Sequence, residues 1–77
     1  MPHIIVKMLS GRSDEQKTRL AKEITKVVMN ITGNQEQAVS VSIEDVDQKD
    51  WTEKVYRADI IPNWHKLYKK PGYNPLA

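Results

Sequence analysis

Met1-Pro2-His3-Ile4-Ile5-Val6-Lys7-Met8-Leu9 opens the chain, and from Ile4 to Leu9 apolar and β-branched residues fall on both faces, the pattern of a buried central strand. Chain ends are ordinarily loose. A strand that begins this early pins whatever precedes it. With Met1 removed, Pro2 becomes the terminal residue and its nitrogen a secondary amine instead of an amide. An amine is a base and an amide is not. Apolar surroundings disfavour the charged amine and draw it down from the usual α-amino value of about 7.7–8.0, toward the range of general base catalysis at neutral pH. Taken alone, Pro2 reads more simply as a proline tolerated at a strand edge, where no N–H is needed.

Working outward, Ser10-Gly11-Arg12 forms a turn. Ser13 with Gln16 three residues on is a capping box, and Asp14 and Glu15 suit the positive end of a helix dipole. Leu20, Ala21, Ile24, Val27, Val28 and Ile31 follow at helical spacing, and Gly33 is a C-terminal stop, so the pattern predicts one long helix over Ser13–Thr32. Asn34–Gln37 is a polar connection. Ala38–Glu44 then alternates strictly, a half-buried strand with Val39, Val41 and Ile43 inward. Strand, long helix and strand joined by short turns make a βαβ unit, whose crossover is right-handed with parallel strands. A lone parallel pair is not a stable sheet, and one helix covers only one of its faces.

Past Asp47, Asp50 with Glu53 reads as a second N-cap pair, with Trp51, Val55, Ala58 and Ile61 behind it. Pro62 should push Ile61 out of the α region. The expectation is a helical stretch from Trp51 to about Asp59, a break, and a short helix to about Lys69 with Trp64, Leu67 and Tyr68 inward. Lys70–Pro75 is a turn-rich tail.

Composition narrows the class. Seventy-seven residues make a single domain over 1–77, and a chain of this size buries only about 60% of its unfolded surface. There is no cysteine to form a disulfide, and His3 and His65 alone are too few for a structural zinc site. Oligomerisation is the remaining source of stability. A net charge of +2 with both signs interspersed gives no case for nucleic acid or an anionic membrane. Neither a signal peptide nor an apolar run near the ~20 residues of a membrane span is present, which leads to the expectation of a cytoplasmic protein.

Pro2 at the head of a strand, Gly11-Arg12-Ser13-Asp14-Glu15-Gln16-Lys17 at the head of a long amphipathic helix, and an alternating strand after it together resemble the 4-oxalocrotonate tautomerase family of the tautomerase superfamily. The likeness runs from Pro2 to about Trp51. It implies an α/β fold in which βαβ protomers, each with a C-terminal helical segment, join their parallel strand pairs into a larger sheet. It also implies cofactor-free, metal-free proton transfer between enol and keto forms of a small molecule, with Pro2 as base and acid. Arg12 falls on the family's first active-site arginine, and Trp51 where many members carry an aromatic pocket wall. Ser40 stands where better-known members have a second arginine, and a hydroxyl cannot supply that charge. That departure argues against dicarboxylate substrates. The ending Lys69-Lys70-Pro71-Gly72-Tyr73 resembles a longer, dimeric branch, which favours a homodimer over a hexamer.

Each residue also has a plainer reading. Arg12 can be a solvated turn residue and Trp51 a packing anchor. Alternation turns His3 away from the face that Pro2 addresses, so it reads as structural. Trp64, Tyr56, Tyr68 and Tyr73 read as dimer packing, since no basic stripe accompanies them. The rival reading from another class is a catalytically silent dimeric binding module of the same fold.

Overall fold

The computed structural model describes residues 1–77, which divide into two compact units, Met1–Asp45 and Val46–Ala77. In the first, strand β1 (His3–Leu9) leads into helix α1 (Asp14–Thr32). A 3₁₀ turn at Glu36–Ala38 then brings the chain to strand β2 (Ser40–Val46), which pairs with β1 in a two-stranded parallel sheet.

Helix α1 starts and stops where local chemistry dictates. Ser13 caps it reciprocally: its Oγ accepts the Gln16 N–H at 3.1 Å, and Gln16 Oε1 accepts the Ser13 N–H at 3.0 Å. At the other end Gly33 takes φ 76°, a left-handed conformation that costs glycine nothing, and its N–H closes onto the Met29 carbonyl at 3.0 Å. Gly11, at φ 121°, makes the turn between β1 and α1 and so sets the position of Arg12.

Two contacts fix which residues share a sheet face. Lys17 of α1 reaches Asp45 of β2 at 2.8 Å, so Asp45 lies on the helix side with Val41 and Ile43. His3 meets Ser40 side chain to side chain at 2.6 Å, so these two lie on the opposite side with Ile5, Lys7, Leu9, Ser42 and Glu44. On the helix side Ile4, Val6, Met8, Val41 and Ile43 are half-buried beneath Leu20, Ala21, Ile24 and Val28. On the other side Ile5 is 56% and Leu9 41% exposed, so β1 is not covered on both faces within this unit as its composition suggested.

The first unit departs from the sequence pattern in two further places. Strand β2 begins at Ser40 instead of Ala38, because the residues up to Ala38 close a 3₁₀ turn in which the Val39 N–H bonds to the Glu36 carbonyl at 3.1 Å. Val27 and Ile31, expected on the apolar stripe of α1, are 53% and 80% exposed. A 19-residue helix is about 28 Å long, whereas a seven-residue strand spans about 20 Å, so the last turn of α1 overhangs the sheet.

In the second unit, helix α2 (Gln48–Trp51) continues directly into a π-helix, Thr52–Ile60. Asp47 is the N-cap residue, one turn earlier than the expected Asp50. The π-helix carries the most buried side chains of the whole chain, Val55 and Tyr56. Ile61 stays helical at φ −58° and ψ −51°, against the expected effect of Pro62. Its N–H bonds to the Tyr56 carbonyl five residues back at 2.9 Å, which offsets the steric preference. Pro62, without an N–H, cannot donate the next bond and the helix ends there. No second helix reaches Lys69. Only a 3₁₀ turn forms, Trp64–Lys66, and Trp64 and Tyr68 are exposed instead of inward. Tyr56, expected at a dimer contact, is a core residue 4% exposed, with the Tyr73 ring 5.7 Å from its own.

Candidate active site

Pro2 is held by the first rung of the sheet: its carbonyl accepts the Ser40 N–H at 3.2 Å. Its ring is half-buried while Met1 is fully exposed, so Met1 hangs free of the unit and Pro2 does not. Ser40 thus touches the head of β1 twice, through its backbone to Pro2 and through its Oγ to His3 Nδ1 at 2.6 Å. A backbone nitrogen at the head of a strand belongs to neither face.

Arg12 lies at the other end of the unit. It is exposed, and with Met8, Gln16, Lys17 and Leu20 it lines a shallow depression of about 190 Å³. Lys17 is tied there: the hydrogen bond it donates to Asp45, aided by the negative charges of Asp45 and Asp14, holds its ammonium above the ordinary value of 10.5 against a smaller opposing desolvation. A carboxylate entering this depression would meet the Arg12 fork, whose geometry matches it bidentately. Strand β1 separates Arg12 from Pro2 by about 20 Å, more than an arginine side chain spans. One chain does not bring the two together.

Trp51 belongs to the second unit. It is half-exposed at the junction of α2 and the π-helix, and its indole N–H donates to Tyr73 Oη at 2.9 Å. The turn-rich tail therefore fixes the orientation of this ring. Of the four residues singled out in the sequence, Pro2 and Ser40 are adjacent, Arg12 stands apart, and Trp51 is set by its own unit. The sequence reading set His3 aside as structural and did not place it beside Ser40. Only the register of two parallel strands puts its ring against Ser40, and alternation within β1 carries no register. No three His, Cys, Asp or Glu side chains gather in a way that could hold a metal ion, and no helix is long and apolar enough to cross a membrane.

Residues 2–55 match the family model described as "Tautomerase enzyme". The chain is 46% identical over 77 residues to a "Probable tautomerase" of Xylella fastidiosa (strain 9a5c), covering all of this chain and 94% of that protein. To "Tautomerase PptA" of Enterobacter sp. (strain 638) it is 39% identical over 75 residues, covering 96% and 99%. Among solved structures it is similar to YwhB, a homologue of 4-oxalocrotonate tautomerase, with a TM-score of 0.60 and 42% identity over 61% of this chain and 77% of that one.

Proposed function

The chain belongs to the tautomerase family, a family of isomerase-type enzymes, and from that premise we propose that it interconverts enol and keto forms of a small monocarboxylate, with the amine of Pro2 as base and acid. The observation that carries this reading is the pinning of Pro2 at the head of β1 by the Ser40 N–H. A general base has to be held within hydrogen-bond reach of the proton it takes, and a frayed terminus could not do that.

Removal of Met1 frees the nitrogen. An enolpyruvate or 2-hydroxydienoate gives its hydroxyl proton to this amine, the electrons move through the enol, and the protonated amine returns a proton to carbon. The same group starts and ends the cycle unprotonated. Arg12 holds the substrate carboxylate and steadies the oxygen on which charge develops. Since about 20 Å of strand separates the two residues, the Arg12 that serves a given Pro2 comes from a second copy of the chain. Trp51 forms an apolar wall for the far end of the substrate. Ser40 brings no charge, which favours one carboxylate over two.

The test is turnover of phenylenolpyruvate by protein whose intact mass shows Met1 removed, beside Pro2→Ala. Alanine leaves a terminal amine there, but a primary one without the ring that fixes it, so the proposal expects a partial fall in kcat/KM, of about tenfold or more. Equal turnover in both proteins contradicts it.

A further inference from the structure

We infer that Lys17, held by Asp45 on the wall of the depression it shares with Arg12, is a second binding residue for the substrate carboxylate. The inference deepens the reading above and rests on it for one point, that a carboxylate enters at Arg12. Arg12 and Lys17 are the two cations among the residues that line this depression, and Met8 and Leu20 give it apolar walls. A charge set against apolar walls acts more strongly on a ligand than one in open water. The ammonium of Lys17 has three N–H groups. Asp45 Oδ2 takes one at 2.8 Å, and Asp14 Oδ1, at 3.7 Å, stands beyond hydrogen-bond distance. Donors are left for a ligand.

The placement of the two acids favours this use over a purely structural ion pair. Neither Asp45 nor Asp14 lines the depression, so an entering carboxylate meets the ammonium and not an acid. The Lys17 side chain is 22% exposed, whereas those of Lys26 and Lys54, in the other lysine pairs, are more than half exposed. A lysine held in this way has already lost much of its rotamer freedom, so engaging a ligand costs it little further entropy. Arg12, Lys17 and Asp45 all belong to the first unit, so one chain completes this arrangement whichever copy supplies the Pro2 it serves.

The two halves of the ion pair separate a binding role from a structural one. Lys17→Met and Asp45→Asn both weaken the link between α1 and β2, and both should lower the melting temperature. Their effects on a carboxylate should be opposite. Binding of cinnamate to the assembled protein, measured by titration calorimetry at about pH 7, where both groups are charged, is expected to weaken about tenfold in Lys17→Met, the loss of one charge-assisted hydrogen bond. In Asp45→Asn it should tighten about two- to fivefold, because the amide oxygen still accepts the Lys17 N–H while the negative charge behind it is gone. KM for phenylenolpyruvate should rise in the first variant and fall in the second with kcat little changed, as for an interaction made equally in the ground and transition states. Unaltered cinnamate binding in Lys17→Met overturns the inference. So does unaltered or weaker binding in Asp45→Asn, which decides alone if Lys17→Met does not fold. Arg12→Ala keeps the two readings apart. Cinnamate binding that falls in Arg12→Ala but not in Lys17→Met overturns the role of Lys17 alone, and binding indifferent to both overturns the carboxylate site assigned to Arg12 as well.

Discussion

Arg12 sits in a turn held between β1 and α1 with its side chain exposed, so its removal should alter chemistry and spare the fold. Arg12→Ala is expected to lower kcat/KM for phenylenolpyruvate by a factor on the order of 10–1000, the loss from deleting one charged hydrogen-bonding group at a reacting centre. Unchanged kinetics with an unchanged melting curve would make Arg12 a solvated turn residue after all. Beside the head of β1, the residue expected to decide substrate choice is Ser40, the first of β2. A second substrate carboxylate must shed water there without gaining a permanent charge, a penalty of about 2–3 kcal/mol, and each 1.4 kcal/mol is roughly tenfold in rate. Ser40→Arg should therefore shift the ratio of kcat/KM values toward the dicarboxylate dienol. An unmodified protein that already prefers the dicarboxylate would contradict this.

The Lys17–Asp45 contact, at 2.8 Å, is a polar link between α1 and β2, and it marks the side of the sheet over which the helix lies. A lysine raised by its partner contributes stability in full below its unfolded value of 10.5, and that contribution disappears as pH climbs through the higher folded value. Asp45→Asn should thus melt lower than the unmodified protein at pH 7–9, with the gap closing above pH 10.5. A gap that persists unchanged at high pH would assign the loss to packing instead. Elements of this first unit were legible in the sequence because their signals are local: the capping box of Ser13 and Gln16, Gly33, and the alternation of Val41 and Ile43. What escaped was set by the backbone or by register. The 3₁₀ turn that delays β2 to Ser40 and the i→i−5 bonding that carries Ile61 through to Pro62 leave no mark on a pattern of apolar residues. Pairing of His3 with Ser40 depends on which rungs of two distant segments meet. Of the candidate site, Pro2, Arg12, Ser40 and Trp51 were all named from the sequence, but the separation of Arg12 from Pro2 follows only from the length of β1.

No side chain in the first unit is fully buried, and the sheet face that carries Ile5 and Leu9 is open. A βαβ unit in this state is expected to continue its sheet into a second copy. Light scattering should find a homodimer at micromolar concentration, and a stable, well-folded monomer would count against both the shared sheet and the Arg12 supplied by a neighbour. The central claim is that the nitrogen of Pro2 acts as an amine, and it is tested most directly by changing that nitrogen alone. Turnover of phenylenolpyruvate should be compared between protein lacking Met1 and protein whose amino terminus is extended so that Pro2 remains an amide, with the oligomeric state matched in both. The account predicts that the extended protein loses about 10²–10⁴ in kcat/KM while keeping its assembly and melting curve. Equal turnover with Pro2 locked in a peptide bond would contradict it.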